Sequence, residues 1–441
     1  MRRISDLGQL RALLTKHWRW TLALCLLVAH LSVIARVLLL PGRPPLREDS
    51  AIFEYAGWFI AGGGSMYTGL WEAKLPLPYQ TTAVTALLSG GNAMVHHLVN
   101  VLITVAASVL SGVLVADLAS DLTERRSSAF LGGLSMLILP GYFYLPAFGF
   151  KSKFFVVFTG LLAIWLTRRR FYALGGAAAA ASVGYYQLAA IYPVIVLALA
   201  YQRGNFRGAT RTALGGLALA LVMVLPILFV GAFEAMITET LVIHLVVTES
   251  AKGIPYRVLL GGYHFGIAFP LVIGGGYGLW LVVDEYDYRD TWWVLVGAAW
   301  FAFVVFFLDY DNFPDLIPGL VFVAIGLAVL ADGLRGERRR WVTAAIAVVV
   351  IVNVVAVTGF GFFGIYPITP AEPLEELESQ TYRIQGEEME RPNVRYLYWT
   401  QTETDTCHVR LSATELGWLA LTDKPFFDTD CGNLRLALGL L

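Results

Sequence analysis

The chain reads as an all-α polytopic membrane protein, on three observations. Hydrophobic residues fill 57% of the 441 positions and charged residues only 15%, where a soluble domain carries about 25% charge; mean hydropathy is +0.63. The apolar residues gather into runs, several near the roughly 20 residues that a bilayer span takes. The loops between runs alternate between basic and poor in basic residues, as the retention of Lys and Arg on the cytoplasmic side requires.

Eleven runs are expected to be transmembrane helices: about 20–40, 93–117, 129–147, 153–167, 172–186, 187–201, 212–231, 265–283, 291–308, 316–332 and 341–362. The first follows Arg2, Arg3, Arg11, Lys16 and Arg19 and ends in Leu38-Leu39-Leu40-Pro41-Gly42, with no small-residue cleavage site, so it reads as an uncleaved helix. Cys25 falls inside it and is expected to pack in the interior. The fourth to sixth runs are short; the fifth and sixth resemble paired partial spans meeting at Gly184-Tyr185-Tyr186-Gln187. With the N-terminus in the cytoplasm, the inner loops are Arg125-Arg126, Arg168-Arg169-Arg170, the Arg203/Arg207/Arg211 stretch, 284–290 and 335–340. Only 284–290 is acidic, and acids count little in this rule. The outer loops are then 41–92, 148–152, 232–264 and 309–315, and the C-terminus is extracytoplasmic.

Residues 1–362 thus read as a transmembrane module and 363–441 as a small, acidic, extracytoplasmic α/β domain. That tail holds 13 acidic against 6 basic residues. Its stretch 372–390 is expected to be helical, 393–399 a strand, and Ser412-Ala413-Thr414-Glu415 a capping box opening a short helix. Cys407 and Cys431 permit a single pairing, and an oxidising location favours a disulfide between them. The net charge of -1 argues against a nucleic-acid partner. No phosphate-binding G-x-x-x-x-G-K-[ST], no C-x-x-C and no H-E-x-x-H occurs. An ATP-driven pump and a zinc protease are therefore disfavoured. No metal ligand is assigned and no cofactor is required, with a divalent cation left open.

The chemistry-bearing residues concentrate in the first outer loop. Arg47-Glu48-Asp49 follows the first run, and Phe53, Ala56, Phe59 and Ile60 then recur on one side of an amphipathic segment. Carboxylates beside hydrocarbon are costly, which makes Asp49 a functional candidate. It suits either a helix N-terminus or a general base that takes a proton from a hydroxyl. Glu48 is its near neighbour; Glu54 is expected to face water. Gly62-Gly63-Gly64, Tyr67, Trp71 and Lys74-Leu75-Pro76-Leu77-Pro78-Tyr79 follow. Other outer segments carry Lys151, Lys153, Lys252, Arg257 and His264, the adjacent pair His96-His97, and Asp309, Asp311 and Asp315. A cation among these can stabilise a departing phosphate or simply contact lipid headgroups. His96-His97 reads as an interfacial pair, since adjacent side chains diverge on a helix.

This loop resembles that of GT-C class integral-membrane glycosyltransferases, and more closely archaeal dolichyl-phosphate-mannose-dependent mannosyltransferases. The resemblance rests on Asp49, Gly57-Trp58-Phe59-Ile60, Gly63, Tyr67, Trp71, Lys74, Pro76, Leu77 and Thr81-Thr82, and on TCHVRLSATELGWLAL with Cys431-Gly432 in the tail. It implies a polyprenyl-phosphate sugar donor in the membrane lipid and a glycan acceptor on lipid or protein at the outer face. Mannose is transferred with inversion and Asp49 is the base. Lys74, Arg257 and His264, with Lys151 and Lys153, are the candidates for the donor phosphate; Glu48, Tyr67 and Trp71 bind acceptor or order the loop. Two departures stand out. Leu75 replaces the first proline of the family's K-P-P-L pattern. Lys151 and Lys153 occupy a stretch where many relatives carry an acid. A flippase for lipid-linked sugars and a non-catalytic glycan-assembly subunit are the rival readings.

Overall fold

A computed structural model of the chain describes residues 16–70, 74–242, 253–285, 288–308, 310, 312–358, 368–384 and 387–403. The apolar runs form helices. In α1 (Trp18–Leu38), Leu22, Leu26, Ala29, Val33 and Val37 make a buried stripe at helical spacing, while Leu24, Val28 and Leu31 stay exposed, as suits a lipid-facing side. Cys25 is exposed too: it lies one residue, about 100° of turn, off the Leu22–Leu26 stripe, so its expected interior packing is corrected.

The first outer loop supplies α2 (Glu48–Ala61) and α3 (Leu77–Leu88), which pack on each other. Then come α4 (Ala93–Ser120) and α5 (Arg126–Leu134). A 3-10 turn, Ser135–Ile138, bends the chain by 83° into Pro140–Phe148. That segment comprises α6 (Pro140–Tyr144) and a second 3-10 turn, with Pro140 and Pro146 at its breaks. Next are α7 (Ser152–Arg168), α8 (Tyr172–Tyr185) and α9 (Ile191–Phe229), the last broken at Asn205, whose φ is 52°. The series closes with α10 (Phe233–Ile237), α11 (Ile254–Phe265), α12 (Phe269–Glu285), α13 (Tyr288–Phe303), α14 (Ile317–Gly333) and α15 (Gly336–Thr358).

Among the described residues, seven helical segments are long and apolar enough to cross a membrane, and the bent 126–148 pair makes eight. The expected eleven runs all carry helix, but α7 and α8 span only 17 and 14 residues. The sixth and seventh runs join across Asn205 within Gln187–Phe229. The most enclosed span is Phe313–Gly333, 78% buried over its apolar window. It packs against α12, α5, α13, α4 and α7. Its crossing with α12 is backbone on backbone. A Cβ on Gly278 would lie 1.8 Å from the Gly326 carbonyl oxygen, and one on Gly326 would lie 2.1 Å from that of Gly275. Small residues let membrane helices approach this closely.

Charges gather at the helix ends. On the basic-loop face, Asp117 of α4 pairs with Arg19 and with Arg169 and accepts from Trp165 Nε1. Arg168 pairs with Asp121 and Arg203 with Asp290. These contacts tie the ends of α1, α4, α7, α9 and α13.

The tail corrects two expectations. The stretch 372–390 is not a helix. It holds a short turn, Glu375–Leu377, and β1 (Ser379–Ile384), paired antiparallel with β2 (Glu387–Pro392) in the register Ser379↔Pro392 to Ile384↔Glu387. Thr381, Tyr382 and Ile384 favour the extended form. The expected strand at 393–399 is instead α16 (Val394–Thr400), capped by the Asn393 side chain on the Arg395 N–H at 2.9 Å. Its buried positions Val394, Leu397 and Tyr398 follow i, i+3, i+4, a helical period that outweighs the β-favouring composition. Cys407, Cys431 and 412–415 lie outside the described residues, as do Trp71, Lys252, Asp309 and Asp311.

Replacing Gly326 by leucine is expected to force α12 and α14 apart and to lower stability by about 1–3 kcal/mol or more. Thermal unfolding of the detergent-solubilised protein measures this; an unchanged transition is incompatible with the backbone contact.

Candidate active site

Helix α2 positions the candidate base. Pro44-Pro45 holds the incoming chain extended, Arg47 is the N-cap residue, and Asp49 sits at the second helical position. Asp49 is therefore in the first turn, where a negative charge complements the helix dipole, rather than at the cap itself. Its side chain is 50% exposed, and Oδ2 lies 3.4 Å from Nζ of Lys151, whose side chain is 8% exposed. A carboxylate reachable from solvent is thus oriented by an almost fully buried ammonium.

Lys151 reaches this position through a tight turn. Gly149 adopts φ 111°, which a side chain would strain, and a Cβ there would lie 2.4 Å from Oε1 of Glu54. The next amide, Phe150 N–H, donates to Glu54 Oε1 at 2.9 Å, and His97 Nδ1 donates to Oε2 at 3.0 Å. Glu54 was expected to face water; it is completely buried. The reason is coverage from distant sequence: α3, α4 and α16 all pack on α2. His96 and His97 are buried as well rather than interfacial. Their rings do diverge. His97 turns to Glu54, while His96 Nε2 lies 3.0 Å from the Thr82 carbonyl oxygen and its Nδ1 3.3 Å from Tyr398 Oη. Tyr398 also donates to the Ala93 carbonyl at 2.7 Å. Burial, with Glu54 nearby, pushes its hydroxyl above the ordinary tyrosine pKa, so it remains a donor.

Further cations surround the same turn. Lys74 Nζ lies 5.1 Å from the centre of the Phe53 ring, which packs on Phe150 at 5.3 Å. Tyr67, at φ 68°, donates through Oη to the Lys74 carbonyl at 2.7 Å and so shapes this loop. Lys153 pairs with Asp315 and lies 4.7 Å from the Tyr186 ring centre. Asp315 Oδ2 also accepts the Asn312 N–H at 2.9 Å. His264 follows through Phe313, at 5.4 Å between ring centres, and bonds Tyr310 Oη at 3.0 Å. Arg257 is buried on α11 and donates to the Val305 carbonyl at 2.9 Å, which ties it to the end of α13. Glu48 opens α2.

The structure thus gathers Asp49, Lys151, Lys74 and Lys153 around residues 149–154, with His264 one contact beyond Asp315. Sequence reasoning missed Glu54, His97 and Tyr398. The available signals were the five-residue spacing from Asp49 to Glu54 and the paired histidines, both of which read equally well as surface features. No group of three or more His, Cys, Asp or Glu side chains able to hold a metal occurs among the described residues.

The comparisons agree with this arrangement. A family model described as DolP-mannose mannosyltransferase matches residues 63–225. ArnT from Cupriavidus metallidurans, in a crystal structure bound to undecaprenyl phosphate, shares the fold with a TM-score of 0.56. The match is 17% identical and covers 78% of this chain and 67% of that one. The Archaeoglobus fulgidus oligosaccharyltransferase, tethered with an acceptor peptide, aligns with a TM-score of 0.51 at 14% identity, covering 79% of this chain and 55% of its own. The GT-C-like fold expected from the sequence is the one these structures share. A dolichol phosphate-mannose mannosyltransferase of Haloferax volcanii is 30% identical over 435 residues, 92% of this chain and 95% of its own. On that near end-to-end match, the chain belongs to the dolichol phosphate-mannose mannosyltransferase family.

Proposed function

We propose that the chain transfers mannose from a polyprenyl (dolichyl) phosphate donor to a hydroxyl of a lipid- or protein-linked glycan at the extracytoplasmic face, with inversion. The observation that carries this reading is the half-exposed Asp49 carboxylate held 3.4 Å from buried Lys151. An acceptor hydroxyl approaches Asp49, and its oxygen attacks the anomeric carbon from the side opposite the phosphate. Asp49 takes the hydroxyl proton as the bond from carbon to phosphate oxygen breaks. The phosphate leaves on its lipid chain, and cations near it offset the charge that develops.

The lysines divide this work. Lys151 orients the base. Lys74 and Lys153 flank the same turn and are assigned to the leaving phosphate. Arg257 and His264 sit further round, on α11, and hold the donor from that side. Tyr67 orders the loop that carries Lys74. Glu48 and Trp71 are assigned to the acceptor or the loop.

Asp49→Asn keeps the shape of the side chain but cannot accept a proton. Its transfer rate is expected to fall about 10²–10⁴-fold with donor binding retained, while Glu48→Gln keeps substantial activity. Radiolabelled transfer from dolichyl phosphate mannose measures both, and near-normal turnover by Asp49→Asn moves the base elsewhere.

Neutral replacement of Lys74 or Lys153 by methionine is expected to lower kcat/KM for the donor about tenfold or more, the worth of one charged hydrogen bond. Donor kinetics unchanged in both variants would remove the phosphate from this side of the turn.

Glu54→Ala leaves the buried Phe150 N–H without its acceptor, a loss of about 1–3 kcal/mol, and frees the turn carrying Lys151. Both the unfolding temperature and kcat are expected to drop. Wild-type kcat in a folded Glu54→Ala protein would separate the clamp from the chemistry.

A further inference from the structure

We propose that the cavity between the first outer loop and the tail is an acceptor subsite for an acidic sugar, one bearing a carboxylate or a sulfate. This rests on the reading of the chain as a glycosyltransferase and names the class of acceptor it takes. The cavity has a volume of about 390 Å³, and its walls include Arg43, Arg47, Phe148, Glu372, Arg395 and Trp399. Three guanidinium groups there stand against one carboxylate.

The cations are fixed in advance. Arg47 donates to Tyr144 Oη at 2.6 Å, and its guanidinium lies 5.4 and 5.2 Å from the ring centres of Tyr144 and Phe148. Arg43 donates to the Glu372 carbonyl, and Arg395 pairs with the Glu372 carboxylate at 3.0 Å. Nε of Arg395 is buried and meets no acceptor among the described residues. A buried, unmatched guanidinium N–H is costly, and an oxyanion satisfies it with the fork geometry that arginine favours. Burial, then the Arg395 guanidinium, pull Arg43 below the ordinary arginine pKa against the opposing effect of Glu372 and Glu375. An anion relieves that crowding. The faces of Phe148 and Trp399 suit the apolar face of a sugar ring.

The position favours the acceptor over the donor phosphate. One wall is 43–47, just ahead of α2, and the other is 369–399 of the tail, both polar segments beside the spans, whereas a polyprenyl chain needs hydrocarbon. Arg47 is two residues from Asp49, so their Cα atoms are at most about 7.6 Å apart. A sugar held here presents its neighbour to the base.

The test uses the full-length protein in detergent and three otherwise identical oligosaccharides ending in glucuronic acid, glucose 6-sulfate or glucose. Binding is read by titration calorimetry, and transfer by incorporation of labelled mannose from dolichyl phosphate mannose. Wild type is expected to bind at least one acidic oligosaccharide about tenfold more tightly than the neutral one. Arg43→Gln and Arg395→Gln each erase that preference, Arg395→Lys restores part of it, and donor KM stays unchanged. Equal binding of all three overturns the proposal. So does a rise in donor KM in the glutamine variants with the preference intact, which assigns the cavity to the donor phosphate. Arginine-dependent preference in binding without transfer to any acceptor upholds the subsite while the transferase reading fails.

Discussion

The site hangs on one buried carboxylate. Glu54 takes the Phe150 amide on one oxygen and His97 on the other. Removed from water, an ionised group of this kind is tolerated only where its hydrogen bonds are met. It therefore enforces its surroundings: the loop must turn at Gly149, α4 must present His97, and α2 must lie with this face inward. Lys151 follows directly from that turn, and with it the orientation of Asp49. The same helix thus carries a reactive carboxylate at its solvent end and a structural one a turn and a half further in.

Bilayer physics sets the frame around it. Backbone groups in hydrocarbon must be satisfied internally, so the spans are helical, and the departures from regular helix are confined to identifiable places. Pro140 and Pro146 break the bent pair and Asn205 breaks α9. Where α12 meets α14, glycines bring carbonyls within reach of the facing backbone, since packing rather than hydrophobicity drives association there. Charges withdraw to the ends of the helices, with the Asp117 network at one face and the lysine–carboxylate pairs at the other.

Composition and periodicity made the helical membrane class legible, because the need to bury backbone polar groups leaves few alternatives. Asp49, Tyr67 and Lys74 were visible through the loop pattern. The count of spans was less legible, because hydropathy reports how apolar a run is, and α7 and α8 are apolar but short. Glu54 was misread for a different reason. Its burial depends on α16, and a local pattern holds no information on what a segment more than 300 residues away will cover. In the tail, Val394 to Trp399 has the composition of a strand and the spacing of a helix, and the contact with α2 decides between them.

That long-range contact bears on biosynthesis. Tyr55 of α2 donates to the carbonyl of Thr402, 347 residues later, and Tyr398 reaches back to Ala93 across 305. Every span must be made before this seal can close. The loop that holds Asp49 and Lys151 is therefore synthesised early and completed last. A chain released before the tail emerges carries all the machinery in its primary structure yet lacks the lid that buries Glu54. Competence for catalysis then serves as a signal that translation has finished, and a prematurely terminated product is inert rather than unregulated.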